Sequence, residues 1–160
     1  MTVFEFQARR VERISAALAH FVESTNVDKL DWRPPLERAA TRSILAQIGE
    51  CVLTNRYAAA LLRGESPDYT PARDAALPIA FADSHDAQSQ IIASGQELAA
   101  AIRTVGEADL ERTYPHWRGA IRGEVIMEMP YRNMAYHAGQ VNYVQMLYGD
   151  TTFHLPPTWL

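Results

Sequence analysis

Three polar residues recur on one face of the last strongly periodic segment of the chain. Asn133, His137 and Gln140 are spaced at i, i+4 and i+7, so they share a helix face. Burial of an amide or an imidazole costs about 1–3 kcal/mol unless it finds a partner. The stripe reads Ile126, Pro130, Asn133, His137, Gln140 with Val141, Val144 and Leu147. Because its other members are apolar, we expect the polar side chains to face the interior, beside a ligand, a metal, ordered water or one another.

An earlier helical segment carries a matching set of polar residues. Beside Ile44 and Ile48, the residues at i, i+3, i+4 and i+7 are Gln47, Glu50, Cys51 and Thr54. A third segment begins with Ser84, His85 and Gln88. Polar side chains on facing helices are how helix bundles build metal and cofactor sites. We therefore predict a ligand pocket formed by Gln47, Glu50, Asn133, His137 and Gln140, in which no catalytic residue is assigned.

The same residues also have a purely structural interpretation. A single histidine on an apolar helix face is more often a core residue with satisfied hydrogen bonds than a metal ligand. Amides are weak ligands for zinc or nickel, which prefer imidazole, thiolate or carboxylate. In this interpretation the side chains of Gln47, Asn133, His137 and Gln140 satisfy one another, and Cys51 is a small buried hydrophobe. The arginines of the first helix are then a solvated face.

Other recognisable chemistries lack their motifs. The sequence contains no glycine-rich phosphate loop, no G-x-S-x-G elbow and no H-E-x-x-H pair. No Glu-x-x-His pair recurs on two helices, as a di-iron bundle would require. These absences leave the polar stripes as the features that point to a site.

Four amphipathic segments position these residues. Apolar periodicity predicts helices over residues 3–24, 41–64, 79–105 and 124–148, with Pro130 inside the last one. The connections around Pro34, Pro71 and Trp117 are about 15 residues long, and Tyr114, Trp117 and Ile121 predict a short hairpin. The pattern favours an all-α, four-helix bundle with long crossover connections. We expect a single domain over residues 1–160, with a C-terminal tail from about residue 150.

Composition excludes several classes of protein. The chain has 160 residues, of which 48% are hydrophobic and 21% charged, as in an ordinary folded domain. Its net charge of −4 argues against a nucleic-acid binder. Cys51 is the single cysteine, which excludes an internal disulfide and favours a reducing compartment. No apolar run approaches the ~20 residues of a membrane span. We therefore expect a cytoplasmic protein without nucleic-acid or membrane partners.

Several stretches resemble one known family. Residues 129–150 are similar to the last helix of the DinB/YfiT-like superfamily, whose His-x-Gly-Gln-apolar signature corresponds to His137, Gly139, Gln140 and Val141. Residues 30–35 (LDWRPP) and 42–50 (RSILAQIGE) resemble the family's approach to its second helix. Helix order and the long second connection also agree, so the resemblance covers nearly the whole chain.

The resemblance implies a four-helix bundle of unusual connectivity, often homodimeric. It also implies a divalent metal, zinc or nickel, bound by one histidine on the second helix and a His-x-x-x-His pair on the fourth. Some relatives are transferases or isomerases that use small thiol cofactors. The three ligand positions correspond here to Gln47, Asn133 and His137, so this chain departs from the pattern at two of them.

We therefore predict a DinB-like protein with a degenerate metal triad that binds a small molecule or acts as a homodimeric module. Two apolar flanks of the fourth helix favour a dimer: Met127, Tyr131 and Met134, and Tyr136, Tyr143 and Met146. The alternative is a zinc- or nickel-dependent enzyme of the thiol-cofactor transferase or isomerase type. In that alternative His137 is a metal ligand and Glu50 or His85 completes the shell. Whether the protein is an enzyme stays open, and no cofactor is assigned firmly.

Overall fold

Helices account for most of the computed structural model, which describes residues 1–35, 41–68, 79–116 and 119–159. Within these residues the five α-helices are α1 (Val3–Ser24), α2 (Ile44–Leu62), α3 (Ser84–Thr104), α4 (Glu107–Glu111) and α5 (Gly123–Leu147). Strands β1 (Thr113–Tyr114) and β2 (Ile121–Arg122) pair antiparallel, and two single 3-10 turns span Val27–Lys29 and Pro157–Trp159. The predicted all-α fold is confirmed.

The long helices form a bundle in which α1 packs against α3 and α5, and α2 packs against the same two helices. α1 and α2 therefore lie across a diagonal. Gln7, near the start of α1, bonds to Met127, near the start of α5. Thr25, just after α1, bonds to Gln145, near the end of α5. These neighbours run parallel, so simple up-down-up-down connectivity is excluded and crossover connections are present, as predicted.

Side-chain caps determine where the three helices α1, α2 and α3 begin. Thr2, Ser43 and Asp83 each accept a hydrogen bond from the backbone N–H three residues later. Thr41, the predicted cap of α2, instead donates to the carbonyl of Pro34 and ties the preceding connection together. The N-cap Asp83 likewise starts α3 five residues later than the predicted residue 79.

Helix α5 is continuous through Pro130 and is buried on two sides. Because it packs against both α1 and α2, its buried face is wider than the predicted stripe. Gln145 is buried and donates to Thr25, whereas Leu147, predicted to face inward, is 45% exposed. Met134 is fully buried, so the flank of Met127, Tyr131 and Met134 packs on the core and is not the dimer face that the sequence suggested.

The connection between α3 and α5 contains the predicted hairpin, in which Thr113 pairs with Arg122 and Tyr114 with Ile121. Trp117 lies outside the described residues, as do Pro71 and Pro78 of the predicted second loop. The short helix α4 was not predicted, since its five residues are too few for a periodic pattern. Across the part of the chain that the structure describes, no helix is both long and apolar enough to cross a bilayer.

Candidate functional site

A pocket of about 540 Å³ lies between α2, α5 and the connection that precedes α2. All five predicted ligand-pocket residues line it, namely Gln47, Glu50, Asn133, His137 and Gln140. Their spacing explains this arrangement, because Gln47 and Glu50 are one turn apart on α2 and the other three occupy consecutive turns of α5. The two facing helices therefore bring together the two sets of polar residues that the sequence analysis identified separately on each helix.

The His137 imidazole lies between two side chains of α2. It is only 3% exposed, with its Nδ1 atom 3.2 Å from Gln47 Oε1 and its Nε2 atom 3.3 Å from Glu50 Oε1. Both ring nitrogens are thus within reach of a polar partner. The histidine joins α5 to α2 in the wall of the pocket.

Glu50 contacts three other polar side chains of the pocket, namely Arg42, Asn133 and His137. Its Oε2 atom accepts a hydrogen bond from Arg42 Nη1, which comes from the connection before α2. Its Oε1 atom accepts from Asn133 Nδ2 at 3.2 Å, in addition to lying beside His137. The guanidinium neutralises the carboxylate, so the group as a whole carries little net charge. The Oδ1 atom of Asn133 is different, because it is buried and has no hydrogen-bond partner among the residues that the structure describes.

Burial lowers the pKa of His137 to about 4, and the positive charge of Arg42 acts in the same direction. The nearby Gln140 amide raises this pKa by a smaller amount. The imidazole is therefore neutral near pH 7 and carries one N–H. The neutral ring has a single N–H donor, and its Nδ1 atom faces the Gln47 Oε1 atom while its Nε2 atom faces the Glu50 Oε1 atom.

The mouth of the pocket is aromatic. Tyr136 and Tyr143 line it and are 67% and 61% exposed. Val144 and Leu147, which follow them along α5, also line the pocket. The sequence interpretation assigned both tyrosines to packing or a dimer face. The pocket thus has a polar floor and an aromatic rim.

Other candidate residues lie elsewhere. His85 is exposed at the start of α3 and does not line the pocket, so it cannot complete a shell around His137. Ser84, Gln88 and Thr54 are also outside the lining. Cys51 is fully buried, and burial raises the pKa of its thiol, as expected for an unreactive core cysteine. The buried polar residue of α3 is Ser94, which bonds to Asn55.

Arg42 is the site residue that the sequence interpretation did not assign. It lies in the connection before α2, so the periodicity of α2 does not relate it to its partner Glu50. The available signal was chemical, since a partly buried glutamate near an imidazole and an amide favours a cation beside it. The spacing of residues within α2 does not indicate a partner that comes from outside the helix.

The residues present do not fit the zinc or nickel site that the family resemblance implies. Strong sites use three or four imidazole, thiolate or carboxylate ligands. Here two of the three expected histidines are amides, and both nitrogens of His137 face hydrogen-bond partners. Over residues 1–35, 41–68, 79–116 and 119–159, no three His, Cys, Asp or Glu side chains come together in a group that could hold a metal ion.

Comparison with known proteins agrees with the fold. The family model described as the DinB superfamily matches residues 10–141. A crystal structure of a conserved protein of locus from Enterococcus faecalis is similar, with a TM-score of 0.72 and 15% sequence identity. The match covers 92% of this chain and 97% of that chain. At this identity the likeness shows the fold alone. No curated protein matches the chain.

The lowered pKa of His137 makes stability depend on pH. In the unfolded chain its pKa is near 6.5, so the stabilising effect of the neutral buried ring is complete above that value and is lost as pH falls toward 4. One pKa unit is worth about 1.4 kcal/mol, so this group alone lowers the free energy of unfolding by about 3 kcal/mol between pH 7 and pH 4. Urea unfolding at a series of pH values measures the change.

His137→Gln removes this component, while His85→Gln, at an exposed histidine of α3, follows the native pH dependence. Titration of the imidazole resonances by NMR gives the pKa directly. A pKa of His137 near 6.5 in the folded protein would contradict the assignment.

Proposed function

The chain belongs to the DinB superfamily, and from this premise we propose that it binds a small molecule in the pocket between α2 and α5. The observation that carries the proposal is the Asn133 Oδ1 atom, which belongs to a residue that lines the pocket and is buried without a hydrogen-bond partner in the described part of the chain. A buried acceptor without a donor costs about 1–3 kcal/mol. A ligand that supplies the donor recovers this free energy on binding.

The surroundings of Asn133 indicate the chemistry of the ligand. The acceptor needs an N–H or O–H group, so an amide or a hydroxyl suits it. The Arg42–Glu50 pair leaves no net charge for an ionic ligand to neutralise. The rings of Tyr136 and Tyr143 at the mouth favour a flat apolar body. We therefore propose a neutral aromatic molecule with a hydrogen-bond donor as the ligand class.

The metal-dependent alternative has less support in this site. In that alternative Glu50 or His85 completes the shell around His137, and of these Glu50 lies beside His137 but is already bonded to Arg42 and Asn133. His85 is outside the pocket. The chain thus keeps one imidazole of the expected triad and uses its remaining polar groups as hydrogen-bonding partners. No reaction step follows from this donor set.

Homodimer formation is a second candidate, favoured by one remaining apolar surface. Tyr136, Tyr143, Met146 and Leu147 are between 45% and 67% exposed on α5. Because two of them form the rim of the pocket, a partner subunit on this surface would cover its mouth. A monomeric protein in sedimentation velocity at high micromolar concentration would contradict this candidate.

Benzamide is a suitable probe of the pocket, since it joins an amide donor to a flat ring. We expect it to bind with a Kd in the millimolar range, as is usual for so small a ligand, and to shift the amide resonances of the pocket residues. Asn133→Ala removes the acceptor and should weaken binding at least about fivefold, because a hydrogen bond contributes roughly 1 kcal/mol. NMR titration measures both values.

Asn142→Ala is the matched control, because Asn142 is also on α5 and lies outside this pocket. Its affinity for benzamide should equal that of the native protein. Equal losses in the two variants, or shifts confined to other surfaces, would contradict the proposed pocket.

The metal triad is tested by restoring it. The double variant Gln47→His, Asn133→His supplies the two missing imidazoles, and we expect it to retain about one zinc per chain after gel filtration. The native protein should retain much less than one, because its amides are weak ligands. Addition of His137→Ala to the double variant should remove the gain. Stoichiometric zinc or nickel in the native protein, lost on His137→Ala, would contradict the account and support the metal-dependent alternative.

A further inference from the structure

A second concave surface lies on the opposite side of α5 from the polar pocket. This groove, also about 540 Å³, is bounded by α1, α5 and the 3-10 turn Pro157–Trp159. Arg10 and Arg13 of α1 line it, together with Tyr131 and Gly139 of α5. Among the described residues of its lining, no side chain is acidic.

The two arginines differ from their neighbours in having no carboxylate partner among the described residues. Arg9, Arg103 and Arg132 each form an ion pair with a glutamate. Within the described chain, neither Arg10 nor Arg13 has a carboxylate oxygen within 4.0 Å of its guanidinium. In a protein of net charge −4, two unpaired guanidinium groups on one groove make a local positive site.

Arg10 and Arg13 are held in place by groups that leave most of their donors free. The Arg10 guanidinium lies 3.7 Å from the centre of the Tyr131 ring and donates one bond, from Nη1 to Gln7 Oε1. The Arg13 Nε atom donates to the carbonyl of Thr158 at 3.1 Å. Each guanidinium has five N–H donors. The rest of the donors are available to an anion.

Apart from Asn142 and Thr158, the remaining lining of the groove is apolar and open. A Cβ atom on Gly139 would meet nothing within 4 Å, so this position leaves space between α1 and α5. Ala135 and Ala138 are the neighbouring small residues. Tyr131 and Trp159 provide aromatic walls, and Trp159 packs edge-on against Phe21 of α1. The groove thus combines a cationic side with a flat apolar one.

We propose that this groove binds a small organic anion, in which a carboxylate or phosphate group contacts Arg10 and Arg13 and an apolar body lies over Gly139 between Tyr131 and Trp159. The planar guanidinium matches both oxyanions. The volume is that of a small-molecule site. Two cations are too few for a nucleic acid, whose binding depends on many phosphate contacts. The site is separate from the pocket around His137, and the two proposals stand independently.

NMR titrations with benzoate, phenyl phosphate, inorganic phosphate and benzamide test the proposal at low ionic strength. We expect benzoate or phenyl phosphate to bind saturably, with shifts on α1 and α5 at the groove. Inorganic phosphate should bind at least about fivefold more weakly than the better organic anion, because it lacks the apolar body. Benzamide should leave the groove resonances unchanged, since it carries no charge. The better of the two organic anions identifies the oxyanion.

Three variants give the residue-level test. Arg10→Gln and Arg13→Gln should each weaken binding of the organic anion at least about fivefold. Gly139→Leu keeps both charges and fills the groove, and should abolish binding even if an arginine variant were to disturb folding. Arg132→Gln removes the same charge from an exposed position of α5 outside the groove, and should bind as the native protein does.

The proposal is overturned if Arg132→Gln weakens binding as much as the groove variants, since the effect would then be general charge. It is also overturned if inorganic phosphate binds as tightly as the organic anions, or if Gly139→Leu has no effect. Loss of benzamide binding in the Asn133→Ala variant bears on the other pocket only, so failure of one proposal is distinguishable from failure of the other.

Discussion

The contact of the buried His137 ring with Gln47 and Glu50 is the interaction on which the site depends. It joins α5 to α2 with the imidazole only 3% exposed, and each ring nitrogen has a polar atom of α2 within hydrogen-bond distance. Arg42 completes the arrangement by pairing its guanidinium group with the Glu50 carboxyl group. A metal ion in the same place would have to displace these hydrogen bonds. The departure from the family's three-histidine pattern is therefore matched by partners elsewhere in the chain.

Helix α5 connects the two concave surfaces of the molecule. One side of it faces α2 with amides and an imidazole, and the other faces α1 with alanines, a glycine and the ring of Tyr131. The charges differ accordingly, since the first pocket pairs its arginine with a glutamate and the groove leaves two arginines unpaired. A single helix thus serves a neutral polar pocket and a cationic groove of similar volume. This two-sided burial also explains why no narrow apolar stripe on α5 predicts its packing.

The sequence predicts those features of the structure that depend on the spacing of residues within one helix. Periodicity predicts the four long helices and the facing of His137 toward Gln47, because both depend on spacing within a helix. It does not predict the pairing of Arg42 with Glu50, or the exposure of His85, because these depend on how a connection folds back and on where a cap starts α3. The burial of Met134 likewise depends on α5 having two neighbours. The periodicity of apolar residues thus predicts which residues share a helix face, but it predicts poorly where helices end and which elements contact one another.

The central claim is that His137 and Glu50 stabilise the protein as a pair, and a double-mutant cycle tests it most directly. The free energy of unfolding is measured by urea denaturation at pH 7 for the native protein, Glu50→Ala, His137→Ala and the double variant. Residues in one buried hydrogen-bonded network show coupling energies of about 0.5–3 kcal/mol, so we expect a value in the upper half of that range. Additive losses, with a coupling energy near zero, would mean that the two side chains do not interact and would contradict the account.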